Sequence, residues 1–178
     1  MKSALKKQLS ALLTLLTLLC WWPMASIACT PDSIAVQYLR AIEAGNVDKM
    51  ATFMGDDIHY YDPTMTYFGT AAIDFNSKAE TVKFWSDSFR DAQVDSMTYD
   101  IQQCFQAGTS TVMVLHLNTR VAGQVWGVNK AQIELSGTHI MSLEISAGKI
   151  SKQTDYVDYA EVIRQVEQLK TQHGSVAN

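Results

Sequence analysis

The segment GTHIMSLEISAGKISKQTDYVDY, Gly137 to Tyr159, sets an imidazole and a carboxylate on two consecutive strands. Side chains alternate across a strand, so His139 shares a face with Ile133, Leu135, Met141, Leu143 and Ile145. The other face carries Gln132, Glu134, Ser136, Thr138, Ser142 and Glu144. His139 is therefore expected on the interior side. A turn at Ala147-Gly148 sends the chain back, and Asp155 follows on the return strand, on a face with Ser151, Gln153 and Val157. A carboxylate walled by apolar groups is drawn toward neutrality, where a general base works best. An imidazole beside it can polarise a carbonyl or share the proton. The plainer readings are a core histidine held by one hydrogen bond, and an acid that ends a strand or caps the helix of YVDYAEV.

Two further pairs have types suited to chemistry. In VLHLNT, His116 and Asn118 share a face with Val112, Val114 and Arg120. They can orient a ligand carbonyl, or simply form the polar end of a strand. In IHYYDP, Tyr60 and Asp62 share a face. The phenol can donate to an oxyanion, whereas Asp62-Pro63 also reads as an ordinary turn opener. Trp85 sits in a helical stripe with Val82 and Phe89 and reads first as core. It and Met141, which shares the His139 face, are the apolar contacts expected for a ligand. The sequence has no Gly-rich phosphate loop, no Gly-x-Ser-x-Gly and no His-Glu-x-x-His. Histidines 59, 116, 139 and 173 do not fall at a metal-helix spacing. No metal and no cofactor is expected.

These residues must be positioned by one domain. Residues 1–28 read as a secretory signal: Lys2, Lys6 and Lys7 without an acid, the apolar run ALLTLLTLLCWW, then small residues ending at Ala28. That run is too short for a comfortable membrane span, and no later segment resembles one. Residues 29–178 are then the mature domain, with a periplasmic or secreted location expected. Losing three lysines and no acid takes the net charge from −4 to −7. An acidic chain without clustered Lys and Arg argues against nucleic acid as a partner.

Cys29 and Cys104 remain once Cys20 leaves with the signal. In an oxidising compartment they can pair. Cys104 is expected on the polar face of MTYDIQQCF with Thr98, Asp100 and Gln102, where it is easier to reach than in a core. The alternative is a lipid anchor at Cys29, although Ser26 stands where such signals usually carry Leu.

The order of elements follows from capping and periodicity. TPDSIAVQYLRAIEAGN reads as a helix with Pro31 and Asp32 in its first turn and Gly45 as its stop. Asn46 caps a short second helix that Gly55 closes. DIHYYDP is a strand, and Ser77 and Glu80 open a third helix at capping-box spacing. Four alternating runs separated by Gly-containing turns then predict an antiparallel meander. A last helix places Val162, Ile163, Val166 and Leu169 on one face. The layout is α+β.

This order, with the strings AVQYLRAIEAGNVDKMATFMGDDIHYYDP, FGTAAIDF and GTHIMSLEISAGKISKQTDYVD, resembles the SnoaL-like branch of the nuclear-transport-factor-2-like superfamily. That superfamily includes limonene-epoxide-hydrolase-like and ketosteroid-isomerase-like proteins. The resemblance covers the mature chain. It implies a cone: a strongly curved, mostly antiparallel sheet wrapped over N-terminal helices, around a hydrophobic pocket. It also implies that Asp155 is the pocket base and that His139 assists it. In the epoxide-hydrolase-like relatives the strand of His116 and Asn118 is similar to an Arg-x-Asp pair. His116 and Asn118 lack its permanent cation and its water-activating carboxylate, which puts epoxide hydrolysis in doubt. Tyr60 fits the Tyr of those relatives' Tyr-x-Asn, and Asp62 replaces the amide.

Three functions follow from this reading. One is a cofactor-independent isomerase, cyclase or hydrolase acting on a small hydrophobic molecule. The second is a non-catalytic binder of such a molecule. The third is a dimerisation domain, since VMVLHL is apolar on both faces and a second copy would cover its outer side. Fold alone does not choose among them.

Overall fold

A computed structural model describes residues 29–176. The expected signal segment, residues 1–28, lies outside the described residues. Helix α1 (Ile34–Glu43) starts one turn later than the sequence suggested, because Ser33, not Pro31, supplies the cap: its side chain accepts from Val36 N. Pro31 and Asp32 stand ahead of it. Helix α2 (Val47–Phe53) is capped by Asn46, whose side chain accepts from Lys49 N. Gly55 does not close it. Strand β1 (Met54–Asp62) already begins at Met54. Asp62 then caps a 3₁₀ turn (Pro63–Phe68), and a short β2 (Ile73–Phe75) follows.

Helix α3 (Lys78–Asp91) opens with the predicted pair: Ser77 Oγ accepts from Glu80 N and donates to Glu80 Oε2. The meander is β3 (Val94–Ala107), β4 (Ser110–Ala122), β5 (Gln132–Ser146) and β6 (Lys149–Val157), with a second 3₁₀ turn at Gly123–Trp126. Helix α4 (Tyr159–His173) ends the fold. The sheet has six strands in the order β2-β1-β6-β5-β4-β3. All neighbours run antiparallel except β1 and β6, which pair in parallel. The result is the expected α+β layout, a curved, unclosed, mostly antiparallel sheet packed against N-terminal helices.

The inner face of the sheet and α1 make the main core, with Tyr38, Leu39, Ile42, Ile58, Met113 and Leu115 almost fully buried. A smaller core packs Val162 and Val166 of α4 on Val121, Ile133 and Leu135. In β5 burial alternates as expected, with Ile133, Leu135, His139, Met141 and Leu143 inward.

Strand β3 breaks the alternation. Its register slips between Ile101 and Gln103, a β-bulge of the kind that puts two residues against one. The slip turns Cys104 inward, opposite Met113, instead of onto the polar face expected from simple alternation. There it forms a disulfide with Cys29 across a Cα–Cα distance of 5.6 Å. Among the described residues no helix is long and apolar enough to cross a membrane.

Candidate functional site

In β6 the inward positions are Gln153, Asp155 and the half-buried Val157. Met141 is the direct cross-strand partner of Asp155, and His139 that of Val157. His139 therefore meets Asp155 on the diagonal, which is within reach of a long side chain. Its Nε2 lies 3.2 Å from Asp155 Oδ1, and both side chains are almost wholly buried. That separation is an ion-pair approach, but its angles do not make a hydrogen bond. His139 Nδ1 and Nε2 and Asp155 Oδ1 are all buried without a hydrogen-bond partner.

The other oxygen of Asp155 is held. Gln153 Nε2 donates to Oδ2 at 2.8 Å, and Tyr38 OH donates to Gln153 Oε1 at 2.6 Å. The carboxylate only accepts, so it fixes which way the amide faces. The tyrosine of α1 and the carboxamide of β6 thus tie down one oxygen and leave the second toward a cavity.

That cavity has a volume of about 820 Å³, within the range typical of small-molecule sites. His139 and Asp155 lie at its floor, and Tyr60, Phe75, Phe84 and Trp85 form an aromatic wall. Tyr99 lies with its ring centroid 5.6 Å from that of His139. Glu80 and Lys83 of α3 line it as well. A broader depression of about 1150 Å³ lies beside Arg120, Lys130 and Glu134. It holds neither Asp62 nor Asp155, so the cavity over those acids is the candidate site. Burial, and after it the charge of Asp155, pushes the phenols of Tyr38, Tyr60 and Tyr99 above their ordinary range. They remain neutral hydrogen-bond donors at any physiological pH.

The residues expected from the sequence divide into two groups. Asp155, His139, Tyr60, Asp62 and Trp85 all line this cavity. Asp62 serves the structure too. Its Oδ1 accepts from Thr64 N and Thr64 Oγ1, and its Oδ2 from Tyr159 OH at 3.1 Å. Trp85 packs in the main core, is 8% exposed and also lines the cavity; its Nε1 has no partner.

His116 and Asn118 do not join this group. Leu115 is the residue opposite His139, so the inward positions of β4 are the odd ones. His116 and Asn118 point to the outer face, against Thr138 and Ser136, with the sheet between them and Asp155. Met141 does not line the cavity either; it is fully buried in the core beside Asp155. Among the described residues no three His, Cys, Asp or Glu side chains gather as a metal would require.

Four contributors escaped the sequence reading. Gln153 was visible on the Asp155 face, but nothing marked it as the residue that holds the acid. Tyr38 lies within the first helix, and nothing local tied it to Asp155. Tyr159 and Trp126 come from the start of α4 and from a 3₁₀ turn, which bear no local signal of facing the cavity.

A curved, unclosed sheet over N-terminal helices is the nuclear-transport-factor-2-like fold. Within that class the chain belongs to the SnoaL-like family, whose domain model matches residues 35–153. The matched span stops two residues short of Asp155. A structure from Shewanella denitrificans OS-217, named after the SnoaL-like polyketide cyclases, is 18% identical with a TM-score of 0.66 and covers 76% of this chain and 95% of its own. A ketosteroid-isomerase-like fold from Catenulispora acidiphila, in complex with trimethylamine, is 14% identical with a TM-score of 0.63, covering 78% and 95%. An LEH-like epoxide hydrolase of M. tuberculosis is 14% identical with a TM-score of 0.58, covering 78% and 90%. At these identities the likeness is one of fold. No curated protein matches the chain.

Proposed function

We propose that this protein is exported and holds a small hydrophobic molecule in the cavity above Asp155. Asp155 accepts a proton from that molecule, and His139 and the Tyr60 phenol assist. The reaction is an isomerisation, cyclisation or hydrolysis that the chain's own side chains can carry. One observation supports this above the others: a buried carboxylate has one oxygen tied back by Gln153 and the other unpartnered, facing an imidazole in an aromatic-walled hollow. Ketosteroid isomerase uses an Asp in an apolar site to remove a proton beside a carbonyl. The names of the related structures, a cyclase family and an epoxide hydrolase, also concern small molecules.

Export rests on the character of residues 1–28 and on the disulfide, a bond that persists in oxidising compartments. A sulfur bonded to Cys104 carries no lipid, so we favour a periplasmic or secreted protein over a lipoprotein. The same fold supports a second reading, a binder without turnover. In either case the exposed apolar side chains Phe105, Ile140 and Tyr156, with Val112 and Val114 beside them, favour a dimer paired through the outer sheet face.

The test is native mass spectrometry of protein purified from its own host, to find a retained small molecule. Incubation of that molecule with wild type and with Asp155→Asn follows. Capture by both and conversion only by wild type supports the enzyme; capture without conversion by either leaves the binder. Failure of wild type to retain or bind any small molecule would sink both.

A further inference from the structure

The floor of the cavity presents acceptors and holds no Lys or Arg. Asp155 Oδ1 is buried with no donor, and His139 offers two ring nitrogens that are also unpartnered. Asp62 adds a second carboxylate to the inner wall, 2% exposed. Lys83 is the cation among the residues lining the cavity; it is largely exposed and already paired with Asp87 on the rim. Glu80, Asp87 and Asp91 are there too. Arg90, outside the lining, pairs with Asp87 and Asp91. With that arginine counted, the rim still carries an excess of one negative charge, and the two inner carboxylates add to it. The walls are aromatic faces, which attract cations.

From this geometry we infer that the polar end of the bound molecule is a protonated amine, carried on an apolar body that fills the aromatic part of the cavity. The inference rests on the reading that Asp155 faces the ligand and names the ligand class for the binder of the second reading, since a carboxylate paired with an ammonium is not free to remove another proton. An ammonium group has up to three donors and no acceptor. Asp155 Oδ1 and, in the tautomer that carries its proton on Nδ1, His139 Nε2, 3.2 Å apart, can both accept from it. A carboxylate would instead meet Asp62 and Asp155 with no free Lys or Arg among the lining residues. A hydroxyl satisfies one acceptor but leaves the charge uncompensated. Charge-assisted hydrogen bonds are the stronger ones, so the amine gains most.

The experiment uses three probes with one ring system: naphthylmethylamine, naphthylmethanol and naphthoic acid. Their affinities for the protein are measured by calorimetry near neutral pH. The amine is expected to bind at least about tenfold more tightly than the alcohol, with the acid weakest. Asp155→Asn should abolish the preference for the amine and keep alcohol binding, with circular dichroism confirming its fold. If that variant does not fold, the wild-type series alone decides. An alcohol or acid that equals or exceeds the amine would overturn the amine assignment and leave the pocket reading standing. Binding of none of the three would overturn both.

Discussion

Gln153→Leu is the substitution that most directly tests how the floor of the cavity is built. Gln153 is fully buried and bridges two groups, accepting from Tyr38 OH at 2.6 Å and donating to Asp155 Oδ2 at 2.8 Å. Leucine fills most of its volume and replaces neither bond. Both partners would then stand buried and unpaired. A buried polar group without its partner costs about 1–3 kcal/mol, with charged groups at the upper end, so the expected loss is about 3–5 kcal/mol. Against a domain stability of about 5–15 kcal/mol this is a large effect. Tyr38→Phe leaves Gln153 Oε1 buried without its donor and should cost about 1–3 kcal/mol. When Tyr38→Phe is added to Gln153→Leu, the phenol left stranded by the leucine disappears, so the pair should cost about 1–2 kcal/mol less than the two changes separately. Urea unfolding of wild type, the two single variants and the double variant measures all of these terms. A Gln153→Leu loss below about 1 kcal/mol, or strict additivity, would refute the bridged-acid account.

Other expectations are simpler to state. Cys29→Ser or Cys104→Ser opens a bond across a sequence separation of 75 and should lower stability by up to about 4 kcal/mol in the loop-entropy treatment, read from urea unfolding under non-reducing conditions. The phenols of Tyr38, Tyr60, Tyr99 and Tyr159 lie above their ordinary value in the native fold. The unfolded chain releases those protons near pH 10, so the stability they contribute is complete below that pH and falls as the pH rises past it. Ultraviolet titration should show these four ionising only on unfolding. His116→Ala and Asn118→Ala should leave the affinity for any cavity ligand within about twofold, because both side chains sit across the sheet from it. On the dimer proposal, Ile140→Asp should shift the protein to monomer in sedimentation equilibrium without unfolding it.

The sequence was most informative where the physics is local. Ser77 with Glu80, Asn46, and the strict alternation from Ile133 to Leu143 each produced the element they signalled. His139 and Asp155 were legible because a polar residue inside an apolar face stands out against a period of two. Three features were not. The bulge near Gln102 reverses the facing of Cys104, and no residue type there announces it. Whether the even or odd positions of VLHLNT face inward depends on which residue of β4 meets His139, a matter of register between strands. The hold of Gln153 on Asp155 depends on Tyr38, 115 residues away. Capping, turns and periodicity are properties of neighbours in the chain, whereas register and bridging side chains are set only when distant segments pack.

The parallel seam between the first and last long strands has a consequence for the order of assembly. A ribosome delivers β1 roughly ninety residues before the strand that must lie beside it. The hairpins from Val94 to Val157 can zip as they emerge, and Cys104 exists to bond Cys29 before β6 has been made. The hollow, by contrast, has no floor until the C-terminal fifth of the chain arrives, bringing Asp155, Gln153 and Tyr159 together. A chain cut between Cys104 and Lys149 keeps its covalent loop but has an open edge along β1 and no Asp155, so completeness of synthesis and capacity for chemistry are decided by the same strand.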